Sequence, residues 1–190
     1  FASKKIINLT NDIFTDNDPA WSPDSKIIYF ASDRSDNLSA ALPDSFKIYN
    51  HNYEQHDIYA MNLETHRLSR ITDLPNSDET SPVVGPDGTE ILFISDVNGI
   101  NNIYKKRVLF SNEDTVSAIT KLEIEPITNS LNGLYQLSLS SDGKKLTFSS
   151  LYQAAFNIFM MNSPFETTVE DSLVPTVYIA SLKEAEKKDE

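Results

Sequence analysis

Three stretches of this chain share one layout, and an internal repeat of this kind limits the fold more than composition does. The first reads LTNDIFTDNDPAWSPDSKIIYFASDR from Leu9 and reaches DIYAMN at Asp57. The second reads ITDLPNSDETSPVVGPDGTEILFISDVNG from Ile71, then NNIYKK at Asn101. The third reads ITNSLNGLYQLSLSSDGKKLTFSS from Ile127, then NIFMMN at Asn157. Each opens on a Leu/Ile-Thr pair and a polar stretch. A short apolar strand, a tight turn and an alternating strand follow. A loop then leads to a strand that begins Asn/Asp-Ile-aromatic. From Thr10 to Trp21 is eleven positions, from Thr72 to Val84 twelve, and from Thr128 to Leu139 eleven.

The turns PDS, PDG and SDG are hairpin signals, in which Asp caps its own backbone and Gly accepts a positive φ. The strands that follow, KIIYFAS, EILFIS and KLTFSS, are β-branched or aromatic and too short for helices. Residues 26–32, 90–95 and 144–150 are therefore predicted to be equivalent strands of three four-stranded antiparallel units. Short strands under a long period argue for an all-β array in which each unit buries a face on the next, a β-propeller with blades of about 40 to 50 residues. A β-sandwich would explain the strands but not the recurring frame. The interval from Pro23 to Pro86 is 63 positions, stretched by an insertion over residues 36–56. The predicted layout is residues 1–10 as the outer strand of a preceding blade, 11–72 as blade one, 73–128 as blade two and 129–162 as blade three. Residues 163–190 hold another candidate outer strand and an acidic tail.

The segments DNDPAWSPDSKIIYFASDR and DIYAMNLETHRLSRIT resemble the TolB-type propeller repeat, a WD40-like family. Its pattern is an acidic residue, Pro, Trp-Ser-Pro-Asp-Gly, an apolar strand, Ser-Asp-Arg, then Asp-Ile-Tyr. The first repeat departs only at Ser25, where the family prefers Gly. The second keeps Pro82, Pro86, Asp87, Gly88, Ser95 and Asp96 but has Val84 and Gly85 where Trp-Ser is usual, and the third is divergent. The resemblance covers residues 5–162. It implies a non-catalytic binding or scaffolding module of the bacterial cell envelope or periplasm. The same repeats also occur in the substrate-gating propellers of prolyl oligopeptidase-like and tricorn-like peptidases, which would need a catalytic domain absent from these residues. Three blades and a stray strand fall short of the usual four to eight. Either a longer parent, the reading preferred here, or a second copy is expected to supply the remainder. A start at Phe1 fits a portion of a longer product, and no signal peptide is read at its head.

Composition excludes several classes of function. The absence of cysteine rules out disulfides, thiolate nucleophiles and thiolate metal sites. With 16 basic and 28 acidic residues the formal charge is -12, which disfavours nucleic acid as a partner. No apolar run approaches the roughly 18 residues of a membrane span. None of the five glycines forms a Gly-x-Ser-x-Gly elbow, so no enzyme activity is expected of these residues. No phosphate or dinucleotide loop is present, and no cofactor is predicted. His51 and His56 form a weak metal pattern and are read as exposed loop histidines. Asp96, Asn98 and Asn101 have calcium-like spacing without the closing carboxylate, and are read as a hairpin turn around Asn98 and Gly99.

Blade topology assigns faces. The connections into the innermost strands, residues 12–18 and 73–79, and the insertion are predicted to share one face. A protein partner would then meet Asp16, Asp18, Asp78 and Glu79, together with Phe46, Tyr49 and Tyr53 of the insertion. The spacing of these three aromatics would make one apolar stripe on a short helix, either offered to the partner or packed on its own blade. Trp21, Tyr29, Phe30, Phe93 and Phe148 are assigned to the core between sheets.

Overall fold

The computed structural model describes residues 6–39, 42, 44–108, 123–169 and 173–189. Strands β1 (Asp16–Trp21), β2 (Ile27–Ser32), β3 (Asp57–Asn62) and β4 (Leu68–Arg70) form one antiparallel sheet in chain order. Strands β5 (Glu79–Val84), β6 (Glu90–Ser95), β7 (Asn102–Arg107) and β8 (Ile124–Pro126) form the second. Strands β9 (Leu134–Leu139), β10 (Lys145–Tyr152) and β11 (Ala155–Asn162) form the third. The predicted strands 26–32, 90–95 and 144–150 are β2, β6 and β10, the second strand of each sheet.

The turn chemistry recurs as well. Ser22 Oγ donates to Asp24 Oδ1 at 2.7 Å, and Ser140 Oγ to Asp142 Oδ1 at 2.6 Å. Asp87 instead accepts from the Thr89 backbone N–H at 2.9 Å. These bonds hold all three carboxyls below their ordinary range. The left-handed position that closes each turn is Ser25, Gly88 or Gly143.

The Leu/Ile-Thr pair has a structural cause. Thr72 Oγ1 accepts the Ile58 N–H at 2.7 Å, while the Ile71 N–H donates to the Ile58 carbonyl at 2.7 Å. In the next sheet Thr128 Oγ1 accepts the Ile103 N–H at 2.8 Å, and the Ile127 N–H donates to the Ile103 carbonyl at 2.8 Å. The pair clamps each outer strand onto the start of the third.

The core lies between sheets. Tyr29, Ala31, Ile58 and Ala60 of the first meet Ile91, Phe93 and Tyr104 of the second. Leu92 and Ile103 point the other way, against Leu134 and Leu146 of the third. The middle sheet is covered on both faces, so β6 reads as a continuous apolar run rather than an alternation.

The C-terminal region departs from prediction. Among the described residues the third sheet has three strands, where four were predicted. Among the described residues, 163–184 supply no outer strand. They form a 3-10 turn at Pro164–Glu166 and the start of helix α1 (Val177–Asp189). Ala, Leu, Lys and Glu are strong helix formers, and here that propensity outweighs the acidic-tail reading. At the other end, residues 6–10 form no strand, with Ile6 95% exposed.

Helix α1 is anchored on the turn between β6 and β7. The Thr176 N–H donates to the Asn98 carbonyl at 2.8 Å, and Ile179 is buried nearby. Gly99 has φ +89°, and a Cβ there would overlap the Thr176 side chain and crowd Ile179. Gly99→Ala is expected to cost about 1 kcal/mol or more. Its signature is faster amide exchange over residues 177–189 with the sheets unchanged. An unaltered exchange pattern in the helix would contradict this anchor.

Candidate binding cleft at the propeller axis

The innermost strands β1, β5 and β9 stand side by side and enclose an open cleft of about 810 Å³. Asp18, Trp21, Ser81, Pro82, Gln136 and Ser138 are among its walls. One backbone feature repeats in all three strands. Asp18, Ser81 and Gln136, each three residues before its strand ends, have φ of +52°, +52° and +59°. Strand register slips beside each of them. A non-glycine residue held in this conformation costs roughly 1–2 kcal/mol, and a bulge twists the strand and re-aims its side chains. The first two bulges are linked, because Asp18 Oδ2 accepts the Ser81 N–H at 2.9 Å and its hydroxyl at 3.2 Å.

Trp21 does not belong to the core. Its residue surface is 60% exposed and lines this cleft. Tyr29 and Phe93 are buried between the sheets as predicted, and Phe148 packs half-buried between the second and third, whereas Phe30 is buried on the other face of the first sheet, against Tyr59, Met61 and Leu68.

The predicted partner-binding residues lie mostly at the other end of the inner strands. There the starts of β1 and β5 meet the insertion between β2 and β3. The aromatic stripe does not form, since only Ile48–Asn50 is helical, as one 3-10 turn. Phe46 packs edge-on against Phe14 at 5.9 Å, and Tyr53 against His51 at 4.7 Å. Tyr49 stays 79% exposed. The histidines are not free loop residues. His51 Nε2 sits 3.5 Å from Asp33 Oδ2, with both side chains buried. His56 Nδ1 lies 3.3 Å from Asp78 Oδ1, a contact that raises the pKa of the ring against partial desolvation. Asp96 accepts the Asp78 N–H at 2.8 Å, a loop-fixing role. Among the described residues no group of His, Asp and Glu is arranged to hold a metal.

Asp16 pairs with Arg34 at 2.5 Å, and Asp12 holds the other arm of the guanidinium at 3.0 Å. Arg34 itself is fully buried among the rings of Phe14, Phe30 and Tyr59, 5.2–5.5 Å from each centroid. This is the arginine of the Ser-Asp-Arg motif, and it fastens the first sheet to its own connection.

Glu79 is fully buried, so the predicted contact of its side chain with a partner is corrected. Its Oε1 accepts from Ser77 Oγ at 2.7 Å and Ser95 Oγ at 2.9 Å. Its other oxygen has no protein donor, nor does Oδ1 of Asp57 across the seam between the sheets. The two carboxyls are close enough for the charge on Asp57 to raise the cost of ionising Glu79. Burial pushes Glu79 up to about 9, with the Asp57 charge adding to the shift. Asp57 in turn is held by Arg70 at 2.6 Å. Of the predicted set, Asp18, Asp78, Tyr49 and Tyr53 remain substantially accessible, and only Asp18 lies in the axial cleft.

No protein-family model matches the chain, and no curated protein matches its sequence. Solved structures do resemble it. A TolB from Agrobacterium tumefaciens superposes with a TM-score of 0.56 at 22% identity over 82% of this chain and 48% of that one. TolB from Acinetobacter baumannii gives 0.50 at 24% identity, over 84% and 32%. Prolyl oligopeptidase B from Galerina marginata gives 0.51 at 11% identity, over 86% and 22%. The chain thus spans about half of one TolB structure and a third of the other. Three antiparallel sheets packed face to face around an axial cleft, together with these likenesses, give the chain a TolB-type β-propeller fold, of which it forms a part.

Proposed function

We propose that the chain is a non-catalytic, protein-binding propeller module of the bacterial cell envelope, and that an extended segment of the partner enters the axial cleft. The cleft itself carries this reading. An exposed tryptophan beside prolines, with hydroxyls and one carboxylate around it, offers the apolar anchor and sparse polar contacts typical of protein recognition. Strain repeated at three equivalent bulges fits a surface shaped for a ligand. The envelope location follows from the repeat resemblance, and the solved TolB structures support it through the fold. Among the described residues no helix is long and apolar enough to cross a membrane. The formal charge of -12 favours a basic or neutral partner. Asp18 inside the cleft, with Tyr49, Tyr53 and Asp78 at the loop end, remain the residues proposed to meet it. Gating of a peptidase is the second reading, and the likeness to prolyl oligopeptidase B, at 11% identity against 22% and 24% for the two TolB structures, supports it less.

Trp21 is the sole tryptophan, so its fluorescence reports on the cleft. It is expected to be readily quenched by acrylamide, and shielded when an envelope protein extract is added. A photo-crosslinker at Ser138 should capture a discrete partner from that extract. Trp21→Ala is expected to weaken capture about tenfold or more. The melting transition should stay within about 0.5 kcal/mol, since little of the ring is packed. Undiminished capture by Trp21→Ala would remove the cleft from the binding site.

A further inference from the structure

The pair Asn-Gly occurs twice in the chain, at Asn98-Gly99 and at Asn132-Gly133, and the fold treats the two differently. The pair has a chemistry of its own. The backbone nitrogen of the glycine can attack Cγ of the asparagine, because no side chain on the glycine obstructs the approach. The N–Cγ bond forms, the Cγ–Nδ2 bond breaks, and ammonia leaves with the proton of the attacking nitrogen. Water then opens the five-membered imide at either carbonyl, giving aspartate or isoaspartate. The attack needs a glycine N–H without an acceptor and an asparagine side chain that can swing onto it.

At the first pair the fold withholds both. The Gly99 N–H donates to the Asp96 carbonyl at 2.5 Å. Asn98 is buried, its Oδ1 accepts from Asn102 Nδ2 at 3.4 Å, and its backbone carbonyl accepts the Thr176 N–H at 2.8 Å. Asn132, in contrast, is exposed in the connection into β9. Among the described residues the Gly133 N–H has no acceptor. The Ser130 hydroxyl donates to the Asn132 carbonyl at 2.7 Å. That bond draws electrons from the peptide group whose nitrogen must attack, and so makes its N–H easier to ionise. The Asn132 side chain is restrained only by Nδ2 donating to the Leu151 carbonyl at 3.1 Å, an exposed bond. Packing on both sides does not close such a position, since the equivalent connection of the middle sheet keeps Pro75 and Asn76 exposed.

We propose that Asn132 is a site of slow self-modification, where the chain gains a carboxylate beside β9 as it ages while Asn98 stays intact. The change removes the donor that holds the Leu151 carbonyl and sets an anionic oxygen near it. Leu151 leads into the turn between β10 and β11, where Gln153 and Ala154 already hold φ of +48° and +66°. That end of the hairpin loosens as a result. Isoaspartate also lengthens the backbone, and so displaces the Gly133 carbonyl that accepts from Ser150 Oγ at 2.9 Å.

The test is to age the full chain in mildly alkaline buffer, digest it and weigh the peptides, with isoaspartate marked by enzymatic methylation of its carboxyl. Conversion at position 132 is expected to run at least about tenfold faster than at 98, the ratio given by about 1.4 kcal/mol of opening free energy at the protected turn. In urea, where both turns are lost, the two rates should converge. Asn132→Gln, whose attack would need a six-membered ring, should stay unmodified at that position. Asn132→Asp, which installs the carboxylate directly, should speed amide exchange over residues 151–156. Equal rates at the two pairs in the folded chain would overturn the proposal. So would a folded chain that keeps Asn132 intact while the chain in urea converts it. None of these outcomes bears on the axial cleft, whose test reads partner capture.

Discussion

Replacing Arg34 with alanine is expected to destabilise the protein by about 3–5 kcal/mol, the range for removing one partner of a buried ion pair. Asp12 and Asp16 would be left facing each other in a site that excludes water, since their side chains are 7% and 19% exposed. Phe14, Phe30 and Tyr59 would lose the guanidinium that fills the space between them. Arg34→Lys is expected to recover only part of the loss, because an ammonium cannot reach two carboxylates and Ser32 as a planar fork does. The decisive comparison is Arg34→Met in a background carrying Asp12→Asn and Asp16→Asn. If the penalty comes from stranded charge, that triple variant should be markedly more stable than Arg34→Ala in urea titration. Equal midpoints would assign the effect to packing instead.

That pair of contacts also shows how far the sequence could be read. The Ser-Asp-Arg motif was legible as part of the repeat, and so were the strand positions and the three turns, because each is written in residues a few positions apart. What Arg34 binds was not legible, since Asp12 is 22 residues away and the choice among many carboxylates is made by packing. Trp21 was misplaced because a strand-end aromatic looks the same whether it faces a neighbouring sheet or the axis. The bulges at Asp18, Ser81 and Gln136 left little trace, as Ser and Gln do not announce a positive φ. Helix α1 was hidden for another reason. Its charge suits a solvated tail as well as a helix, and the same Lys, Glu and Ala residues form a helix once Thr176 and Ile179 supply an anchor. Glu79 looked like a surface acid in an acidic run, and only the fold brings Ser77, Ser95 and Asp57 around it.

Stability should fall as pH rises from the ordinary carboxylate range toward about 9, and Glu79→Gln should abolish most of that fall. In the folded protein Glu79 keeps its proton up to about 9, because ionisation would place a second negative charge beside Asp57 in a desolvated seam. In the unfolded chain it ionises near its ordinary value of 4.5. Between these limits the native state binds one more proton than the unfolded state. The stabilising contribution is therefore fully present below 4.5 and is lost as pH climbs through the window. One such proton corresponds to about 1.4 kcal/mol per pH unit. The raised pKa of His56 acts in the same direction over its own range. Asp24, Asp87 and Asp142 act in the opposite sense, their carboxyls being held below the ordinary range in the turns, so their effect appears on acidification. Glutamine at position 79 can accept from both serines and donate an amide N–H to Asp57 without titrating. Urea midpoints measured from pH 5 to 9 should thus slope downward for the unsubstituted chain and run nearly flat for Glu79→Gln. The two curves should cross, with the variant the more stable at the alkaline end. Parallel curves would mean that Glu79 is already ionised in the fold.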